Sequence, residues 1–236
     1  MERLLNQLLE RLQKAYEDGL VSVVLYGSAA VGDHHGRFSD INILCVLKQV
    51  TPRELGDSEA VFRWWRDKGN PSPLLMSAEE VRTSTDCFPI EFNDIRERHR
   101  VLFGEDVVEG LEVGTVFYRA QVEHELRSSL LRLRQKAAGV LAQNDLLTQI
   151  LADSLSTFCV LFRHALVLCG VDAQFEKREI LSQAADKFGI DPSPFRSMLD
   201  FREQKIKARD IKAAPLLESY LKQIQVVVDA VDRLEK

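Results

Sequence analysis

The chain has 236 residues, of which 45% are apolar and 28% charged, and its net charge is -5. That balance is ordinary for a globular protein and excludes a general nucleic-acid binder, which needs a basic footprint. The length allows one large domain or two small ones.

Leu4, Leu5, Leu8, Leu9, Leu12 and Ala15 recur at helical spacing and predict an amphipathic opening helix that Gly19 ends. Glu2, Arg3, Glu10 and Arg11 interrupt its leucines, so it does not read as a signal peptide. No apolar run comes near the roughly 20 residues of a membrane span, so a soluble protein is expected. Val21–Tyr26 and Ile41–Leu47 are near-continuous apolar runs, the pattern of inner strands covered on both faces. Thr51-Pro52-Arg53-Glu54 is a capping box with proline at the first helical position, and it opens a helix through Trp64 and Trp65. Both tryptophans read as packing residues rather than a base-stacking platform.

Pro73–Met76 predicts a short strand, and Ser77-Ala78-Glu79-Glu80 a second capping box. Cys87–Phe92 alternates apolar and other residues and predicts a third main strand carrying Glu91, with Val101–Phe103 a last short strand before Gly104. After Gly114 the pattern turns helical: 117–141, 146–168, 176–188, 194–208 and 214–234. The expected architecture is therefore an α/β (α+β) head with a mixed sheet over residues 1–112, followed by an all-α helical bundle over 113–236. Cys45, Cys87, Cys159 and Cys169 lie without C-x-x-C spacing, which points to free thiols and a reducing, cytoplasmic compartment.

The chemistry-bearing stretch joins the two apolar runs: V-V-L-Y-G-S-A-A-V-G, then D-H-H-G-R-F-S-D-I-N-I-L. Gly27 lets backbone approach a ligand where a side chain would block it, and the amides that follow, with the Ser28 hydroxyl, suit a phosphate. Asp40 puts a carboxylate at the head of the second strand, where a hard cation bridging to phosphate oxygens wants one. Arg37 lies within reach of a phosphate in the loop before it. His34 and His35 lack further metal-ligand partners and read as loop residues. Arg119 to His124 fits a permissive R-x4-H spacing, for which a charged, solvated helix face is the simpler reading.

The strand, Gly-Ser, helix, loop, Ser-Asp, strand order resembles the polymerase-beta-like nucleotidyltransferase superfamily over Val23–Leu47, and the order of head and helices is similar to kanamycin-type members and to proteins with a HEPN-like partner domain. The resemblance implies a nucleoside triphosphate bound at Gly27, Ser28 and Arg37, and magnesium held by Asp40, by the residue two further on, and by a third acid. Glu91 is the candidate third acid, serving also as base toward the acceptor hydroxyl, with Asp94 as fallback. One departure stands out: Asn42 occupies the position of the second acid of the Asp-x-Asp pair. An amide oxygen can face a metal but lacks the charge that makes such a site strong. The resemblance thus implies nucleotide binding with weakened or lost transfer of a nucleoside monophosphate to a small-molecule or protein hydroxyl. The alternative is a non-catalytic nucleotide- or partner-binding module, such as an antitoxin-like component.

Overall fold

A computed structural model describes residues 1–31 and 41–234. The chain divides into two compact units, Met1–Phe117 and Tyr118–Lys236.

The first unit is built on a four-stranded sheet of order β3-β2-β1-β4 among the described residues. Its strands are β1 (Leu20–Tyr26), β2 (Asn42–Leu47), β3 (Leu74–Ser77) and β4 (His99–Gly104). β1 pairs antiparallel with β2 and with β4, while β2 pairs parallel with β3. The central position of β1 and β2 accounts for their continuous apolar runs. Leu25, Ile43, Cys45 and Leu47 pack on one face with α1 (Glu2–Tyr16) and α2 (Pro52–Asp67); Val24, Leu44 and Val46 pack on the other with α3 (Ala78–Thr83) and α4 (Pro89–Glu97). In α1 the buried positions are Leu5, Leu8, Leu12 and Tyr16, one stripe at helical spacing. Trp65 is fully buried in this first layer, and the Arg11 guanidinium lies 4.4 Å from the centre of the Trp64 ring.

The capping box of α2 forms as the sequence predicts. The Arg53 N–H donates to Thr51 Oγ1 at 3.2 Å and the Thr51 N–H to the Glu54 carboxylate at 2.9 Å. The bond from the Thr51 side chain holds the Glu54 carboxyl down at about 2. Because that value is depressed on folding, the stabilisation is complete above the ordinary value of 4.5 and is lost as pH falls from there toward about 2. Thr51→Ala is expected to cost about 1 kcal/mol near neutrality. It should also shrink the loss of melting temperature between pH 5 and pH 3, as a paired pH series of thermal melts would show.

The second unit holds α5 (Tyr118–Ala138), α6 (Asn144–Leu168), α7 (Lys177–Phe188), α8 (Ser193–Arg202) and α9 (Ala213–Asp232). α6 runs through its middle and touches each of the other four. Phe158, Phe162, Phe195 and Tyr220 form a buried aromatic cluster with ring centres 4.4 to 6.3 Å apart. The sequence reading of no span-length apolar run needs correction here. α6 is long and apolar enough by length and composition to cross a membrane, and 61% of that window is buried against its neighbours.

Candidate functional site

β1 ends at Tyr26, and the chain leaves the sheet through Gly27 at φ +77. Only glycine adopts this left-handed backbone without strain. The Gly27 N–H donates to the Arg98 carbonyl at 3.0 Å, and the Gly27 carbonyl accepts from the Ala30 N–H at 3.1 Å. The turn is thereby tied to the junction of α4 and β4 on one side and opens a short 3-10 turn, Ser28–Val31, on the other. A Cβ added to Gly27 would stand 3.3 Å from Asn42 Nδ2, so the glycine and the start of β2 are in contact.

Register builds the rest of the site. Tyr26 pairs with Asn42 of β2 and with His99 of β4. Residues directly paired across a sheet share a face, so Asn42, Tyr26 and His99 form one row across three strands. The neighbouring position confirms the facing: Arg100 pairs with Leu25 and reaches Glu2 of α1 on the opposite face at 3.0 Å.

α4 closes over this row, which corrects the predicted strand at Cys87–Phe92: Glu91 lies in the first turn of a helix. The I-E-F-N alternation suits a strand, yet Pro89 at the first helical position, an acid two residues on, and burial of Ile90, Phe92 and Ile95 are the marks of a helix start. Glu91 is exposed and Asp94 half-buried. Burial, then the charge of Glu91, then that of Asp94, push the Tyr26 phenol up to about 12. The phenol therefore stays protonated at neutral pH.

His99 and Asp106 were not singled out by the sequence, whose spacing offered no signal for them. The His99 Nε2 stands 3.1 Å from Asp106 Oδ2, and Asp106 Oδ1 accepts from the Val108 and Glu109 N–H groups at 3.0 and 3.1 Å. Burial opposes ionisation of Asp106, but the bonds from His99 and these two amides outweigh it and hold the carboxyl below its ordinary range.

Of the other predicted residues, Asp40, Arg37, His34, His35 and the side chain of Ser28 lie outside the described residues. Among the described residues no group of three or more His, Cys, Asp or Glu is poised to hold a metal ion. Arg119 donates to Glu123 at 2.8 Å, and Arg127 meets the same carboxylate at 2.8 Å, while His124 is largely exposed. These residues form an ion-pair ladder along α5. A depression of about 610 Å³ lined by Glu17, Lys48 and Glu54 lies at the opposite end of the sheet and includes none of the predicted site residues.

Comparison with known proteins bears on this geometry. A family model described as a nucleotidyltransferase domain matches residues 5–137, more than half of the chain. No curated protein sequence matches it. Among solved structures, the spectinomycin adenyltransferase AAD(9) from Enterococcus faecialis, crystallised with ATP and spectinomycin, superposes with a TM-score of 0.65. The match covers 99% of this chain and 100% of that one at 11% identity, a likeness of fold.

Proposed function

We propose a function from the premise that the chain belongs to the nucleotidyltransferase-domain family, as the match over residues 5–137 shows. It binds a nucleoside triphosphate at Gly27, Ser28 and Arg37 and transfers a nucleoside monophosphate, at a rate weakened by Asn42, to a hydroxyl of a small molecule. The observation that carries this reading is the Gly27 turn, left-handed, bonded to the Arg98 carbonyl just before β4 and in contact with Asn42. The presence of ATP and spectinomycin in the structural neighbour favours a nucleotide with a hydroxylated small molecule over a protein acceptor.

The residues suit magnesium in kind. Asn42 offers an amide oxygen and Glu91 a carboxylate, both hard oxygen donors, and the Glu91 charge is near enough to act on the buried Tyr26 phenol of the same row. Asp40, Asn42 and Glu91 are the proposed ligands. The ion, when bound, neutralises charge developing on the transferring phosphoryl group. The Gly27 turn brings backbone amides to the triphosphate, and the neutral Tyr26 hydroxyl can donate a hydrogen bond to an oxygen placed beside Asn42. The buried thiols Cys45 and Cys159 support a reducing, cytoplasmic setting.

Asn42 also favours a second reading, a nucleotide- or partner-binding module without transfer, as in an antitoxin-like component. Asn42→Asp separates the two. It restores one charge among the proposed ligands, so magnesium-dependent ATP affinity is expected to rise about tenfold, with faster pyrophosphate release. A variant that melts lower and gains no response to magnesium would mean that Asn42 is a structural residue and the site no metal centre.

A further inference from the structure

We propose that His99 is the catalytic base of this site, positioned by Asp106, and that it takes the proton from the acceptor hydroxyl. The proposal rests on the nucleotidyl-transfer reading above. The row Asn42, Tyr26, His99 puts the imidazole on the same sheet face and at the same sheet end as Gly27, one strand away. The tie is direct, because the carbonyl preceding His99 accepts the Gly27 N–H at 3.0 Å. The turn that meets phosphate and the strand that carries the imidazole therefore move as one piece.

The protonation pattern follows from the partner. Asp106 accepts here, so the hydrogen shared at 3.1 Å sits on His99 Nε2, and Nδ1 is the nitrogen left to exchange a proton with a ligand. Asp106 is in turn anchored by two backbone amides, so the imidazole is held in one tautomer and one orientation. Its side chain is 19% exposed, sheltered but open to a ligand. A neutral imidazole is the side chain whose ordinary basicity lies closest to neutral pH. Glu91, by contrast, is exposed in the first turn of α4, whereas His99 is sheltered beside the strand end that leads into the Gly27 turn.

The step balances. The acceptor oxygen forms a bond to the α-phosphorus of the nucleoside triphosphate, and its proton passes to His99 Nδ1. The bond from the α-phosphorus to the bridging oxygen breaks, and pyrophosphate departs with that electron pair. The imidazolium, steadied by Asp106, then returns its proton to solvent. Among the described residues, Asp106 from the turn after β4 and Tyr26 from β1 face His99, with Glu91 and Asp94 of α4 acting on the same phenol.

The test measures ATP affinity by calorimetry and pyrophosphate release from ATP with magnesium, using spectinomycin and water as acceptors. It compares wild type, His99→Gln and Asp106→Asn across pH 5 to 9. We expect unchanged ATP affinity in both variants. His99→Gln should lower kcat at least about a hundredfold and abolish the acidic limb of the pH–rate profile. Asp106→Asn, which keeps the imidazole, should lower kcat and shift that limb. Nitrogen-15 NMR of the free protein should show His99 protonated at Nε2. Variants that retain kcat and the limb, a wild type that binds ATP yet releases no pyrophosphate, or a proton on Nδ1 would overturn the assignment while leaving the nucleotide site standing. Failure of wild type to bind ATP would overturn the nucleotidyl-transfer reading itself.

Discussion

Gly104→Ala is expected to destabilise the first unit by about 3–5 kcal/mol, a large part of the stability of an ordinary domain. Gly104 ends β4 at φ +76, and a Cβ there would collide with the Val21 carbonyl oxygen, standing also 3.0 Å from its carbon and 3.2 Å from Ser22 Cα. These are backbone atoms of the central strand, and none can swing aside as a flexible side chain would. Left-handed strain of about 1–3 kcal/mol adds to the collision. The position matters beyond stability, because β4 carries an irregularity opposite Val23 and Val24 and its register sets His99 against Tyr26. Both tryptophans of the chain, Trp64 and Trp65, lie in α2 of this unit, so their fluorescence reports its urea unfolding selectively. A midpoint equal to wild type would show that the strand end tolerates a side chain and that the described close approach is wrong.

Gly27→Val is expected to abolish measurable nucleotide binding, weakening affinity at least about a hundredfold, or about 2.7 kcal/mol. A β-branched residue at φ +77 is strained by about 1–3 kcal/mol, so a lower melting temperature accompanies the loss. Among the described residues the Cβ itself meets the flexible Asn42 amide at 3.3 Å, which can give by a few tenths of an ångström. Gly27→Ala should therefore fold and lose affinity only in part, whereas the valine methyls reach into the path of the phosphate. The pair of substitutions distinguishes strain from obstruction. Calorimetry with ATP checks both variants, and unchanged affinity in the valine variant would mean that phosphate does not approach this turn.

Much of the frame was legible in the residues. The recurrence of Leu4, Leu5, Leu8, Leu9, Leu12 and Ala15 marked a helix, of which Leu5, Leu8 and Leu12 are buried, and the apolar run Val21–Tyr26 marked an inner strand, paired on both sides. The two capping boxes named their helix starts to the residue, because their hydrogen bonds are local. The Gly27 turn was legible for a related reason: a single glycine after a buried strand announces a backbone that no other residue adopts easily.

The site was legible only in part. Glu91 is legible as a candidate but its element is not, because four alternating residues fit both periods and Pro89 alone marks the helix start. The apolar length of α6 is less apparent in the sequence because Asp153 and Arg163 interrupt its run, although the surrounding Leu, Phe and Val keep the stretch apolar on average. His99, Asp106 and Tyr26 were invisible as a group, since their juxtaposition depends on strand order and register, which are properties of pairing rather than of spacing.

The most direct test of the account is isothermal calorimetry of the intact chain with ATP, GTP, CTP and UTP, each with and without magnesium, beside the Gly27→Val variant. Saturable binding of at least one nucleoside triphosphate is expected, strengthened by magnesium and absent from the variant. Heats indistinguishable from dilution for all four nucleotides in the presence of magnesium would contradict it.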